Sequence, residues 1–403
     1  MSAVLESPVL PDAAAAPAPA TSWSGVLAIA LGAFTVVFAE LLPVGLLSGI
    51  SRDLHVLEGT AGMMVSITAL LAFVAAPGTA LAVGSMDRRR VLIGLTILTI
   101  ISSVLSALAP SFAVLFGARI LLGIALGGFW AVAVPAAARL VPADKAHVSS
   151  TIVMSGISIA AVLAVPAGTL IAAYFSWRVA FVAATIIPLI VLLTQWRYLP
   201  NIVMDDHVTV ADLGRVLKSP RNAAALLTLL FAVGGQYAGY TFVTPYLAQV
   251  TGVDTNVLSS LLLAYGLFSI AGNFIGGALA ARSRHGTVLG NMIVFLISLL
   301  GLTIFGGNFA LATVSLMVWA VVWGIVPVSL QLWIFGGATR DKPEAVGAVL
   351  VGVLQLAISL GSFAGALAVN GAGVHSAMAL GAAIVAAGIL MVLIVGNIDR
   401  RNG

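Results

Sequence analysis

Apolar stretches of roughly 20 or more residues recur from one end of this chain to the other, and each is long enough to cross the ~30 Å of a bilayer's hydrocarbon as a helix. They fall at about 24–50, 60–84, 91–109, 112–138, 148–174, 178–198, 222–249, 256–281, 287–305, 309–337, 346–370 and 374–396. Twelve spans joined by short loops predict an all-α membrane protein with little room for a soluble catalytic domain. Composition agrees: 61% of the 403 residues are hydrophobic and 8% charged, where an ordinary soluble domain carries roughly a quarter charged. With no Cys in the chain, disulfides, thiolate nucleophiles and Cys-ligated metals are excluded.

Charge placement predicts the orientation. With a cytoplasmic N-terminus, fifteen of the 18 Lys and Arg fall in cytoplasmic loops, Arg52 and Arg178 fall outside, and Arg119 lies inside a span. That bias sets both termini on the cytoplasmic side. The net charge of +4 is then a matter of topology rather than of nucleic-acid binding. Residues 1–22 are Ala/Pro-rich, carry Glu6 and Asp12, and lack the basic start of a signal peptide. They read as a disordered cytoplasmic tail.

The charged segment 199–221 divides the spans six and six, which predicts a bundle over 23–198, a cytoplasmic linker over 199–221, a second bundle over 222–396 and a cytoplasmic C-terminus over 397–403. The halves look duplicated. NFA at 308–310 answers SFA at 111–113, Asp341-Lys342 answers Asp144-Lys145, and Ala364-Gly365 answers Ala167-Gly168, all 197 residues apart. Two pseudo-symmetric six-helix bundles follow. At the same offset Arg119 answers Leu316, so the repeat kept its shape and not its charge.

Two charges lie at membrane depth. Glu40, in FAELLPVGLL at 38–47, and Arg119 in span 4 both sit roughly 10–15 Å from the outer ends of their spans at 1.5 Å rise per residue. Burial favours a neutral carboxyl and a guanidinium favours its anion, so a modest change of surroundings can load or release a proton on Glu40. Intramembrane ionisable groups mark transport pathways, which makes Glu40 the candidate proton carrier and Arg119 a fixed charge beside it. The alternative is structural: a static ion pair, or two groups capping backbone at an irregularity near Pro43. Gly123 and Gly127 share a face of span 4 with Arg119, where small residues also suit close helix packing.

Several motifs together resemble the major facilitator superfamily, specifically its twelve-span drug–proton antiporters. They are FGARILLGIALGGFW at 116–130, VGSMDRRRVL after span 2 and SGISIAAVLAVPAG in span 5. FAELLPVGLL and WGIVPVSLQLW at 323–333 look most like the bacterial efflux proteins for purine ribonucleosides and sugars. The resemblance covers nearly everything after residue 22. It implies the major facilitator fold, a place in the bacterial cytoplasmic membrane, and proton-coupled export by alternating access, with Arg119 taking part in coupling. It also assigns conformational roles to Asp87, Arg88, Arg89, Arg90, Gly123, Gly127, Gly156, Pro166 and Gly168. Two departures stand out: Gly84 occupies a position where an acidic residue is expected, and Val165-Pro166 replaces the usual Gly-Pro.

For the solute, Trp130, Gln236, Tyr240, Asn273, Trp323, Gln331 and Gln355 offer amides and aromatic rings at membrane depth, most of them in the second half. They suit an uncharged, planar or hydroxylated small molecule; each could equally bridge helices or sit in an interfacial belt. The five His lack metal-ligand spacing and no GxxxxGKS/T loop is present, so no metal or cofactor is expected and ATP is not the energy source. The expected partners are a small-molecule solute, protons and lipid, with the chain acting as a monomer and not as an enzyme. Competing readings are a multidrug–proton antiporter, an inward facilitator or symporter and, more distantly, a polytopic membrane enzyme or sensor.

Overall fold

The computed structural model describes residues 21–84, 86–202, 209–218, 220–282, 284–335 and 343–402, without the side chains at 220–221, 281–282, 284–285, 327–328, 330–335, 343–345 and 394–402. The tail up to residue 20, the Asp341-Lys342 pair and the Gln331 side chain lie outside the described residues. The first half runs α1 (Trp23–Leu41), a 3-10 turn (Leu42–Gly45), α2 (Leu47–Asp53), α3 (Glu58–Ala82), α4 (Arg88–Ala107), α5 (Phe112–Arg139), α6 (Ala146–Tyr174) and α7 (Trp177–Tyr198). After α8 (Val210–Lys218) come α9 (Pro220–Tyr240), α10 (Val243–Tyr246), α11 (Thr255–Arg282), α12 (Arg284–Phe305), α13 (Phe309–Phe335), α14 (Pro343–Ala372) and α15 (His375–Asn402). Twelve of the described helices are long and apolar enough to cross a membrane, six on each side of α8. They match the twelve expected segments.

The differences have local causes. Span 1 was expected to run to residue 50, but α1 stops at Leu41 because Pro43 has no N–H to continue the helix. Span 7 was expected to reach residue 249 and its long helix ends at Tyr240. The segment 199–221 contains a helix that its charge concealed: Thr209 and Asp212 cap α8 reciprocally, Thr209 N–H donating to Asp212 Oδ2 at 3.1 Å and Asp212 N–H to Thr209 Oγ1 at 3.2 Å. The last helix continues through residues 397–402.

Within each half, helices cross where a side chain would not fit. A Cβ on Gly123 or Gly127 would overlap the α3 carbonyls of Thr68 and Ala72. On α6, Gly156 lies against Ala30 O of α1, and Gly168 against Leu42 O just beyond it. The position 197 residues after Gly168 is Gly365 on α14, which lies against Ala238 O of α9. Spans 5 and 1 thus cross as spans 11 and 7 do, and backbone contact of this kind is how helices associate without a hydrophobic drive between them. Leu27, Leu193, Phe274 and Ile304 are exposed large hydrophobics, as a lipid-facing surface requires.

The halves pack through α3 with α14 and α6 with α11, and hydrogen bonds tie them together at the end of the bundle away from the termini. Gln249 Nε2 donates to both carboxylate oxygens of Glu58, at 2.9 and 3.0 Å, and Ser48 Oγ to one of them at 2.9 Å. Asn370 Nδ2 donates to Thr60 Oγ1 at 3.2 Å, and Tyr174 to Asn256 Oδ1 at 2.9 Å. At the same end Asp53 accepts from Arg178 and from Trp177 Nε1. Arg178, then Trp177, hold the Asp53 carboxyl below its ordinary range. The sign follows: this tie adds stability above the ordinary carboxylate range and loses it as pH falls through the lowered value. Both groups are more than a third exposed, so water screens the pair.

Because the chain has no Cys, paired replacements are clean reporters of this contact. Thr60→Cys/Asn370→Cys should form a disulfide across the halves on mild oxidation, keeping them together on a non-reducing gel after cleavage at a protease site inserted between the halves. Free separation of the fragments after oxidation would show that this end is not closed.

Candidate functional site

The site begins with a missing hydrogen-bond donor. In an uninterrupted α-helix the Ala39 carbonyl would accept from the N–H of residue 43, and Pro43 has none. The Leu42 N–H is taken by Phe38 O. Arg119 fills the vacancy from α5: its Nη1 donates to Ala39 O at 2.9 Å and its Nη2 to Ser106 Oγ on α4 at 2.9 Å. Ser106 Oγ in turn donates to Ser102 O at 2.7 Å. The guanidinium is 1% exposed and lies 4.7 Å from the centroid of the Phe181 ring, a desolvated cation–π contact. Its Nε has no partner.

Glu40, one residue from that carbonyl, is 7% exposed, and it forms no ion pair with Arg119. The two share a layer yet face different neighbours. From the second half, the Gln355 side chain adjoins the Glu40 carboxyl, and Tyr237 lies within its electrostatic reach. Neither Glu40 Oε1 nor Gln355 Nε2 completes a hydrogen bond. Tyr237 stands 197 residues after Glu40, so the two come from equivalent repeat positions.

Beside them a cavity of about 160 Å³ opens between the halves. Leu41, Ile157, Ser158, Ala161 and Val162 form its wall in the first half. The second half contributes Gln236, Tyr237 and Tyr240 from α9, Tyr265, Ser269 and Asn273 from α11, and Trp323 from α13. None of the lining residues is charged. The aromatic rings brace one another: Tyr240 and Tyr265 are 5.1 Å apart, Tyr265 meets Trp319 edge-on at 5.7 Å, and Tyr237 meets Trp323 edge-on at 6.1 Å. Such geometry adds to the area these rings bury.

The two amides of this cavity differ. Gln236 is 1% exposed and already occupied: its Oε1 accepts from Trp319 Nε1 at 2.5 Å, and its Nε2 donates to the Tyr265 hydroxyl at 2.9 Å. It aims Tyr265, whose own proton is left to donate elsewhere. Asn273 is half-buried on the cavity wall, with its amide available to a ligand.

Of the other expected site residues, Tyr240 and Trp323 line this cavity, while Gln355 sits beside Glu40. Trp130 lies in a separate apolar crevice of the first half with Phe129, Val37 and Val153. Pro166 is buried within α6. Asp87 caps α4, accepting from the N–H groups of Arg89 at 3.0 Å and Ile202 at 2.8 Å. Arg88 Nη1 donates to Met86 O, and Arg89 Nη2 to Trp196 O at 2.6 Å; Arg90 is exposed. That loop is therefore bonded to the exit of span 6, inside its own half. Tyr237, Tyr265 and Trp319 escaped the sequence reading, although the 197-residue offset from Glu40 points to Tyr237.

The two amides should respond differently to the same change. Gln236→Leu strands the buried Trp319 N–H and should cost about 1–3 kcal/mol, seen as a lower Tm in detergent. Asn273→Leu should stay within about 0.5 kcal/mol of wild type. Equal destabilisation would mean that Asn273, too, is a structural amide.

Known proteins place this arrangement. The Escherichia coli purine ribonucleoside efflux pump NepI is 29% identical over 371 residues, covering 92% of this chain and 93% of its own. The Salmonella paratyphi B pump of the same name is 30% identical over 359 residues, covering 89% and 90%. The crystal structure of the human organic anion transporter MFSD10 (TETRAN) superposes with a TM-score of 0.64 over 92% of this chain and 98% of its own, at 16% identity, which speaks for the fold alone. The family model of the Major Facilitator Superfamily matches residues 29–366. With twelve apolar helices in two halves around a central cavity, this chain is a multi-pass membrane protein and belongs to the Major Facilitator Superfamily of transporters.

Proposed function

We propose that this transporter exports a small uncharged solute, a purine ribonucleoside in the first instance, in exchange for protons. The observation that carries the reading is the cavity between the halves: aromatic, free of charged side chains, and equipped with the Asn273 amide and the aimed Tyr265 hydroxyl. A planar heterocycle with hydrogen-bonding edges fits that chemistry, because rings stack on rings and each buried polar edge needs a partner. Support for export and for purine ribonucleosides comes from the relatives named purine ribonucleoside efflux pumps. Glu40 is the proton carrier in this reading, since it is the carboxylate at mid-span and its chain neighbour Leu41 lines the cavity.

With the termini cytoplasmic, in a bacterial cytoplasmic membrane, the contacts of Glu58, Thr60 and Tyr174 close the outer end. The cavity is then poised to take solute from the cytoplasm and, by a rocking of the two halves, to release it outside. Rings and amides without a charged anchor disfavour an anionic solute. Proton exchange needs no further cofactor.

Inside-out vesicles test the reading. Labelled adenosine, inosine and guanosine should accumulate when the vesicle interior is acid, and collapse of the gradient should abolish accumulation. Glu40→Gln keeps the volume and hydrogen-bonding capacity but carries no proton near neutrality. It should lose gradient-driven accumulation while retaining solute binding. Wild-type gradient dependence in that variant would remove Glu40 from the mechanism, and indifference of the wild type to all three nucleosides would remove the substrate class.

A further inference from the structure

Arg119 is a costly residue to bury. It is 1% exposed, makes no ion pair among the described residues, and leaves Nε unbonded. A counter-charge to Glu40 would face the carboxylate. Instead the guanidinium spans α1 and α4, holding Ala39 O with one arm and Ser106 Oγ with the other. The Ala39 carbonyl is the one that Pro43 deprives of its donor, and in a bilayer no water replaces it.

The second half supplies an internal control. The residue 197 positions after Pro43 is Tyr240, which has an N–H and ends a regular helix. The residue at the same offset from Arg119 is Leu316, apolar and fully buried. Where the repeat keeps the backbone donor, the arginine is absent.

We propose that Arg119 is a positioning residue that acts on Glu40 through the backbone of span 1: it occupies the carbonyl freed by Pro43 and so fixes the break that presents Glu40 to the second half. The inference rests on Glu40 as proton carrier. Lysine does not substitute well, because one ammonium does not reproduce a planar fork reaching acceptors on two helices. The groups bearing on the Glu40 charge are Tyr237 of α9 and Gln355 of α14, with Arg119 held one peptide away. The other charged groups of α3 to α7, among them Glu58, Arg88 to Arg90, Arg139, Arg178 and Arg197, lie at the helix ends.

A second-site test follows. Arg119→Met keeps the length and volume but strands the carbonyl, and should cut gradient-driven accumulation by about tenfold or more, the scale of one buried acceptor left unpaired. Pro43→Ala restores an N–H at position 43 and should by itself keep at least about a third of wild-type transport, an allowance for the altered turn of less than 1 kcal/mol. The double variant Pro43→Ala/Arg119→Met should recover to within about threefold of Pro43→Ala alone, with the pH midpoint of transport returning alongside the rate. A general loss of stability would not move that midpoint.

Failure of Pro43→Ala to rescue, or its inactivity on its own, would overturn the proposal in favour of Arg119 acting on Glu40 by its charge. Full activity of Arg119→Met would also overturn it. If Arg119→Met does not accumulate in the membrane, recovery of its level by Pro43→Ala supports the shared carbonyl, and continued absence overturns it. The two failures are distinguishable: wild-type gradient dependence in Glu40→Gln overturns the proton-carrier reading, whereas loss of that dependence in Glu40→Gln together with no rescue of Arg119→Met by Pro43→Ala overturns this proposal alone.

Discussion

Backbone hydrogen bonding is the constraint that organises this molecule, because a carbonyl without a donor in hydrocarbon cannot turn to water and each such group costs several kcal/mol. Twelve helices meet most of that demand internally, and their glycines let one backbone lie directly on another. Proline in span 1 creates a local exception at Ala39, and the structure answers with the most deeply buried cation described in the chain. The break, the arginine and the carboxylate then occupy consecutive or contacting positions for one reason. A straight span 1 would need no guanidinium there.

Pseudo-symmetry determines what Glu40 meets. Equivalent spans of the two halves approach the central axis, and Tyr237, from the same register of the repeat, lies within electrostatic reach of Glu40. A hydroxyl within reach of a carboxyl adds no second charge in a medium that penalises one already. The aromatic cluster behind Tyr237 has a different task. Tyr265, Trp319 and Gln236 satisfy one another, which holds rings at set angles and leaves the Tyr265 proton and the Asn273 amide facing the cavity.

The fold class was legible in the sequence, since the length and number of the apolar spans report what crossing a bilayer requires. Helix ends were less legible: Pro43 stops α1 well before the hydropathy does, and α8 was hidden because a capped amphipathic turn in a charged linker looks polar as a whole. The site was legible by type and not by partner. Glu40 and Arg119 stood out as charges at one depth, but depth says nothing of azimuth, and they turn out to face different neighbours. Gln236 and Asn273 were alike as mid-span amides; only the positions of Trp319 and Tyr265, fixed by three-dimensional packing, separate the one already bonded from the one still free.

The surroundings of Glu40 divide into a constant part and a variable part. Ala39 O, Arg119, Ser106 and Phe181 all belong to the first half, and in the alternating-access reading they move with Glu40 as one body. Gln355 and Tyr237 belong to the second half and do not. A rocking of the halves therefore changes the partners of the carboxyl while leaving its backbone support intact, so that proton affinity can differ between conformations without local unfolding. Because Tyr237 also lines the cavity, the same movement that re-exposes the solute alters what the carboxyl faces. In the proposed exchange, coupling of proton and solute needs no chain of intermediates between two distant sites, because Tyr237 both lines the cavity and lies within electrostatic reach of the carboxyl.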